Sequence, residues 1–298
     1  MHLSPRLGRV VLFTAALIWG SSFFVMKDAV SGVPVFLLLA IRFTVGCALL
    51  SLIFWKKWKH CKGRLLLHGA VVGVLLFAAY TAQTYGLKDT TPGKNAFLTA
   101  VYCVLVPFVN WLLLRRRPTR WNWIAAVMCL GGIGLVSLDG SLAMNRGDAL
   151  TLLGGVFYAL HLVAVSRYGE EDDAVLLTTV QFGTSALCCW LCCGLFERVP
   201  AFPQNAWVEL IYLAVFATTI ALLLQNVGQS VTPAAQASIL LSLESVFGVL
   251  FSVICYGETV TLRLVVGFVL IFLAVIASET QFSFFRRKCP QNVKTQSP

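Results

Sequence analysis

Two ionisable residues stand alone inside long uncharged stretches. Arg42 lies within VPVFLLLAIRFTVGCALLSLIFW and Glu244 within ASILLSLESVFGVLFSVICY. A charge held in an apolar helix is costly unless it is paired or wet. Arg42 therefore has two readings. It lines a cavity and attracts a carboxylate or phosphate, or it ties helices together through carbonyls or an acid. Glu244 has two as well: a proton-coupling or substrate-amine site, its carboxyl perturbed by low-dielectric surroundings, or a structural partner, with Arg42 the obvious counter-charge.

Other polar residues recur at helical spacing. Asn95, Thr99, Tyr102 and Asn110 share one face of a single helix, and Tyr80, Gln83 and Thr84 share a face of the helix before it. Lipid offers no hydrogen-bond partner, so such stripes face protein or water. That leaves cavity lining or contacts that glue helices together, and the matching stripe on the adjoining helix favours lining. Ser238, Ser242, Ser245 and Ser252, with Gly248 beside them, make a stripe of small residues suited to close helix packing. Trp19, Tyr158 and His161 offer stacking and hydrogen bonds to a solute, although a lone membrane histidine more often serves packing. Lys94, at the mouth of its helix, either snorkels to headgroups or meets an anion.

What the sequence lacks narrows the class. It has no phosphate-cradling glycine loop ending in Lys, no His-Glu-x-x-His and no Gly-x-Ser-x-Gly. We expect no catalytic residues, no cofactor and no metal. Cys188, Cys189, Cys192 and Cys193 have zinc-like spacing but sit in an apolar run, where they read as packing residues. Cys289 in the basic tail has only its position to suggest a lipid. Glu170–Asp173 lacks calcium-loop spacing and reads as a solvated loop. The net charge of +10 sits in short loops beside apolar runs, which suits lipid headgroups rather than nucleic acid.

The elements that must position these residues are membrane helices. With 58% hydrophobic and 12% charged residues and a mean hydropathy of +0.81, the chain reads as an all-α polytopic membrane protein. Apolar segments fall at about 10–27, 33–55, 65–87, 94–114, 120–138, 147–166, 175–196, 206–227, 232–256 and 261–280, ten in all. The first follows Arg6 and Arg9 and is too long for a signal-peptide core, so it reads as an uncleaved membrane helix. Sixteen of the 23 Lys and Arg residues fall in one set of alternate loops and tails and six in the other, with Arg42 inside a segment. This bias places both termini in the cytoplasm.

The chain also repeats itself. Thr91–Pro118 and Thr232–Thr259 open alike, Pro92 aligning with Pro233 and Ala96 with Ala237, while Gln83 and Gly86 fall near Gln225 and Gly228. At an offset of 139, Trp19 meets Tyr158, Ser22 meets His161 and Arg42 meets Gln181. Five helices per copy is odd, so the second copy is inverted. The expected architecture is ten transmembrane helices in two inverted five-helix repeats: residues 1–143, residues 144–285, and a cytoplasmic basic tail, 286–298.

Trp19-Gly20-Ser21-Ser22, Ile41-Arg42-Phe43, Gly93–Leu98 with Val104-Leu105-Val106-Pro107, Leu243-Glu244-Ser245-Val246 and Tyr256-Gly257-Glu258 together resemble the drug/metabolite transporter superfamily, EamA type. Two departures stand out: Ser245 replaces the usual proline after glutamate, and arginines end the first copy where many relatives carry Gly-Glu. The resemblance covers nearly the whole chain. It implies ten helices in two inverted halves around a central cavity, carrying small metabolites, often outward. The expectation is a secondary transporter in the cytoplasmic membrane, with a small-molecule solute, membrane lipids, and protons or a counter-solute as partners. Rival readings are a passive channel or lipid-moving protein with the same helices, and an intramembrane enzyme.

Overall fold

The computed structural model describes residues 4–61, 63–115, 117–137, 144–169, 171–198, 206–229, 231 and 234–280. The basic tail, Cys289, Pro233 and Glu170 lie outside them, as does the Ser238 side chain. Every regular element is a helix: α1 (Pro5–Gly32), α2 (Val35–Ile53), a 3-10 turn (Trp55–His60), α3 (Gly63–Asp89), α4 (Pro92–Thr99), α5 (Tyr102–Leu114), α6 (Arg120–Ser137), α7 (Arg146–Gly169), α8 (Ala174–Phe196), α9 (Ala206–Ile211), a π-helical stretch (Tyr212–Ile220), α10 (Ala221–Gln229), α11 (Ala234–Tyr256) and α12 (Leu262–Thr280).

Local chemistry starts these helices where the sequence changes character. Ser4 caps α1, accepting the Leu7 amide, and Pro5 follows at the first helical position. Thr91 and Pro92 open α4 in the same way. Asp173 caps α8 by accepting the Val175 and Leu176 amides at 3.0 and 3.1 Å. Glu197, just past α8, reaches back to cap α2, accepting the Phe36 and Leu37 amides at 2.9 Å each.

Among the described residues, seven helical spans are long and apolar enough to cross a membrane: Arg6–Gly32, Val35–Ile53, Gly63–Asp89, Pro92–Leu113, Arg146–Gly169, Ala174–Phe196 and Ala206–Gln225. Three shorter apolar helices among them cover Arg120–Val136, Leu240–Tyr256 and Leu262–Ser278. Leu52, Leu112, Leu195, Phe196, Val208 and Leu262 are largely exposed, the pattern of side chains that face lipid. The chain is a polytopic membrane protein.

Two expected continuous helices are interrupted. The stretch expected at 94–114 breaks at Ala100–Val101, between α4 and α5, and the one at 206–227 passes through the π-helical stretch. At the first break the amides of Val101 and Cys103 turn to carbonyls three residues back, Leu98 and Ala100.

Packing pairs α3 with α7, α1 with α11, α6 with α12 and α2 with α8. The α3–α7 crossing depends on two facing glycines. A Cβ on Gly86 would lie 2.7 Å from the Gly147 carbonyl oxygen, and one on Gly147 would lie 2.7 Å from that of Gly86. Helices approach this closely in a membrane where small residues let the backbones touch.

Candidate functional site

The structure brings most of the polar residues singled out above around one cavity inside the helix bundle. Its walls are Trp19, Ser22, Phe23 and Met26 of α1; Arg42 of α2; Leu76, Tyr80, Gln83, Thr84 and Leu87 of α3; Asn95 and Thr99 of α4; Tyr102 of α5; Tyr158, His161 and Leu162 of α7; Leu222 and Gln225 of α10; and Glu244 of α11. Gln181 is not among them. It is buried in α8 and touches the site only through His161, whose Nε2 lies 3.0 Å from the Gln181 Oε1. Asn110 lies further along α5 and does not line the cavity.

Arg42 is 1% exposed. Its Nε donates to the Thr218 hydroxyl at 2.9 Å, an Nη1 proton reaches the Met26 sulfur at 3.7 Å, and the guanidinium lies 5.2 Å from the Tyr80 ring centroid. Among the described residues no carboxylate comes within 4.0 Å of it. The suggested Arg42–Glu244 ion pair is therefore not formed. Glu244 instead accepts the Tyr102 hydroxyl at 3.2 Å. A row of tyrosine rings runs between the two charges: Tyr80 and Tyr158 have centroids 5.5 Å apart, Tyr158 and Tyr102 6.1 Å.

A second network holds the wall opposite α1. The Tyr158 hydroxyl donates to Gln83 Oε1 at 2.8 Å, and Gln83 Nε2 donates to Thr99 at 2.9 Å. Asn95 Nδ2 donates to the Gln83 carbonyl at 3.2 Å and to the Thr151 hydroxyl at 2.7 Å. Gln83 thus orients three helices at once. The Asn95 Oδ1 and Thr84 Oγ1 atoms are buried with no hydrogen-bond partner among the described residues. Polar atoms in that condition ordinarily meet water or a ligand.

Sequence reasoning missed Thr218 and the carbonyl of Ala217, which accepts the Trp19 Nε1 proton at 2.9 Å. Both belong to the π-helical stretch. Its one legible signal is the Thr218-Thr219 pair inside an apolar run.

On the side where the α2–α3 and α7–α8 connections lie, α3 packs directly on α8. Along α3 the lining starts at Leu76; before it, Gly69 and Gly73 are packed onto Val180 and Gln181 of α8. Nearer those connections, Lys57 pairs with Asp173 at 2.6 Å, His68 meets Asp172 at 2.6 Å while stacking on Tyr168, and Arg64 pairs with Glu171. Of the acidic run, Glu171, Asp172 and Asp173 therefore anchor the α7–α8 connection to the start of α3 and the turn before it. Burial pushes the Asp173 carboxyl up, but the Lys57 ammonium and the Leu176 and Val175 amides outweigh it and hold the group below its ordinary value. At the other end, Lys27 Nζ donates to the carbonyls of Leu87, Lys88 and Thr90 at 2.7, 2.9 and 2.9 Å, finishing α3.

Comparison with known proteins adds the following. The model of the EamA-like transporter family matches residues 6–138 and again residues 145–279. An uncharacterized transporter of Archaeoglobus fulgidus is 34% identical over 269 residues, covering 89% of this chain and 83% of the relative. The uncharacterized inner membrane transporter YedA of Escherichia coli is 26% identical over 74% of this chain and 73% of its own length. The uncharacterized transporter YetK of Bacillus subtilis is 25% identical over 86% and 82%. A solved crystal structure, 18% identical, shares the fold with a TM-score of 0.68 over 94% of this chain and 99% of its own.

Proposed function

The chain belongs to the EamA-like transporter family, and from that premise we propose that it is a secondary active transporter that exports a small organic metabolite across the cytoplasmic membrane by alternating access. The ten apolar helical segments form two inverted five-helix repeats, residues 1–143 and 144–285, with residues 286–298 a cytoplasmic tail and both termini in the cytoplasm. The two family matches, one per half, support that division.

One observation carries the reading: a cavity inside the helix bundle is walled by both halves and holds a buried arginine and a buried glutamate, Arg42 and Glu244, that do not pair with each other. A structural charge ordinarily finds its counter-charge within the protein. Charges left free beside a cavity suit a site that a solute enters and leaves. Glu244 is the residue we assign to coupling. It faces the cavity and touches Tyr102, so its proton can exchange with what the cavity holds. The energy then comes from a proton or counter-solute gradient.

The test is flux into proteoliposomes of purified protein. Solutes are first chosen by their ability to raise its melting temperature. A carrier gives saturable uptake that is stimulated when the same solute is preloaded inside. Glu244→Gln keeps this exchange but loses its response to an imposed pH gradient. Uptake that rises linearly with concentration and ignores preloading contradicts a carrier and marks a channel.

A further inference from the structure

We propose that the solute is a monoanion with an apolar or aromatic body, its single negative group received by Arg42; this rests on the transporter reading and names the substrate class of the same cavity. Around the guanidinium, Thr218 contributes a hydroxyl, Met26 a thioether and Tyr80 a ring face and its hydroxyl, none of them a carboxylate. Arginine has five N–H donors in a planar fork. One is used on Thr218 and one reaches toward the Met26 sulfur, which leaves donors on Nη1 and Nη2 for whatever the cavity holds. A carboxylate or phosphate matches that fork.

The rest of the cavity sets the body and the charge count. Beyond Arg42 the wall is a run of rings, Tyr80, Tyr158 and Tyr102, with Trp19 fixed by its bond to the π-helical stretch. Rings so arranged favour an apolar or aromatic body. Glu244 lies at the far end of the tyrosine row, on Tyr102. A second negative group would find no further Lys or Arg among the lining residues and would lie unpaired in a low-dielectric space, which disfavours dianions. Thr218 is a positioning residue, since it acts by holding Arg42.

The test uses the full-length purified protein and matched probes: phenylacetate, indole-3-acetate and hexanoate, the corresponding amides and amines, and the dianion phenylmalonate. Thermal stabilisation and calorimetric titration are the readouts. At least one monoanion binds, its amide and amine bind roughly tenfold to hundredfold more weakly, and phenylmalonate is weaker than phenylacetate. In Arg42→Gln the acid and its amide become indistinguishable, while Arg42→Lys keeps part of the preference. The comparison among probes on the unmodified protein decides the matter even if Arg42→Gln fails to fold. An amide or amine that binds as tightly as its acid, an acid preference that survives Arg42→Gln, or failure of every monoanion to bind overturns the proposal. Saturable exchange of an amine or amide contradicts the anion reading and leaves the carrier intact. Acid-selective binding with only linear flux contradicts the carrier and leaves the anion site intact.

Discussion

Glu258 ties together parts of the chain that are far apart in sequence. Its carboxylate accepts the Thr91 hydroxyl at 2.5 Å, the Gly93 amide at 3.0 Å and the Ser252 hydroxyl. It thereby caps the first turn of α4 from beyond the end of α11, where the free amides of a helix N-terminus favour an anion. Replacing Glu258 by Ala leaves those donors without a buried acceptor and lowers stability by roughly 1–3 kcal/mol, read as an earlier thermal transition in detergent. An unchanged transition contradicts the assignment. The sequence marks Tyr256-Gly257-Glu258 as a motif but does not reveal this role, because the capped amide is 165 residues away. The same holds for Glu197 and the Phe36 amide, 161 residues apart. Arg42 and Glu244 were legible for the opposite reason. A lone charge in an apolar run is conspicuous without knowledge of any partner.

At the scale of elements, the sequence places the apolar segments well and their interruptions poorly. Tyr212–Ile220 has the composition of an ordinary apolar helix, and nothing in its periodicity announces π winding. The winding matters because it presents backbone and hydroxyl groups to the cavity wall. Thr218 and Thr219 hydroxyls donate to the carbonyls five residues back, Leu213 and Ala214, at 2.8 Å each, and the Ala217 carbonyl accepts the Trp19 Nε1 proton. Thr218→Val removes the one oxygen that Arg42 Nε donates to. We expect a loss of roughly 1–3 kcal/mol in thermal or denaturant unfolding and near-normal behaviour for Thr218→Ser. Equal stability of the Val and Ser variants contradicts the role given to this hydroxyl. The α4–α5 break was equally hidden, since Ala100 and Val101 carry no breaker chemistry of their own.

Over the whole molecule, charge and cavity are arranged along one axis. Glu258 contacts Thr91 and Gly93, at the opposite end of the 92–113 span from Arg115 and Arg117. The ion pairs of Lys57 and Arg64 and the His68–Asp172 contact gather where the sequence places its Lys and Arg excess, at the end of the bundle that holds the α2–α3 and α7–α8 connections. In an alternating carrier that end must open in turn. The most direct test places a single cysteine at Ser22, on the cavity wall, in a background without other cysteines, and labels it with a membrane-impermeant thiol reagent from each side of sealed, oriented vesicles. The account predicts labelling from either side, with the balance shifted by a solute gradient and no bulk leak of small ions. Labelling from one side under every gradient, or a leak that accompanies labelling from both, contradicts it.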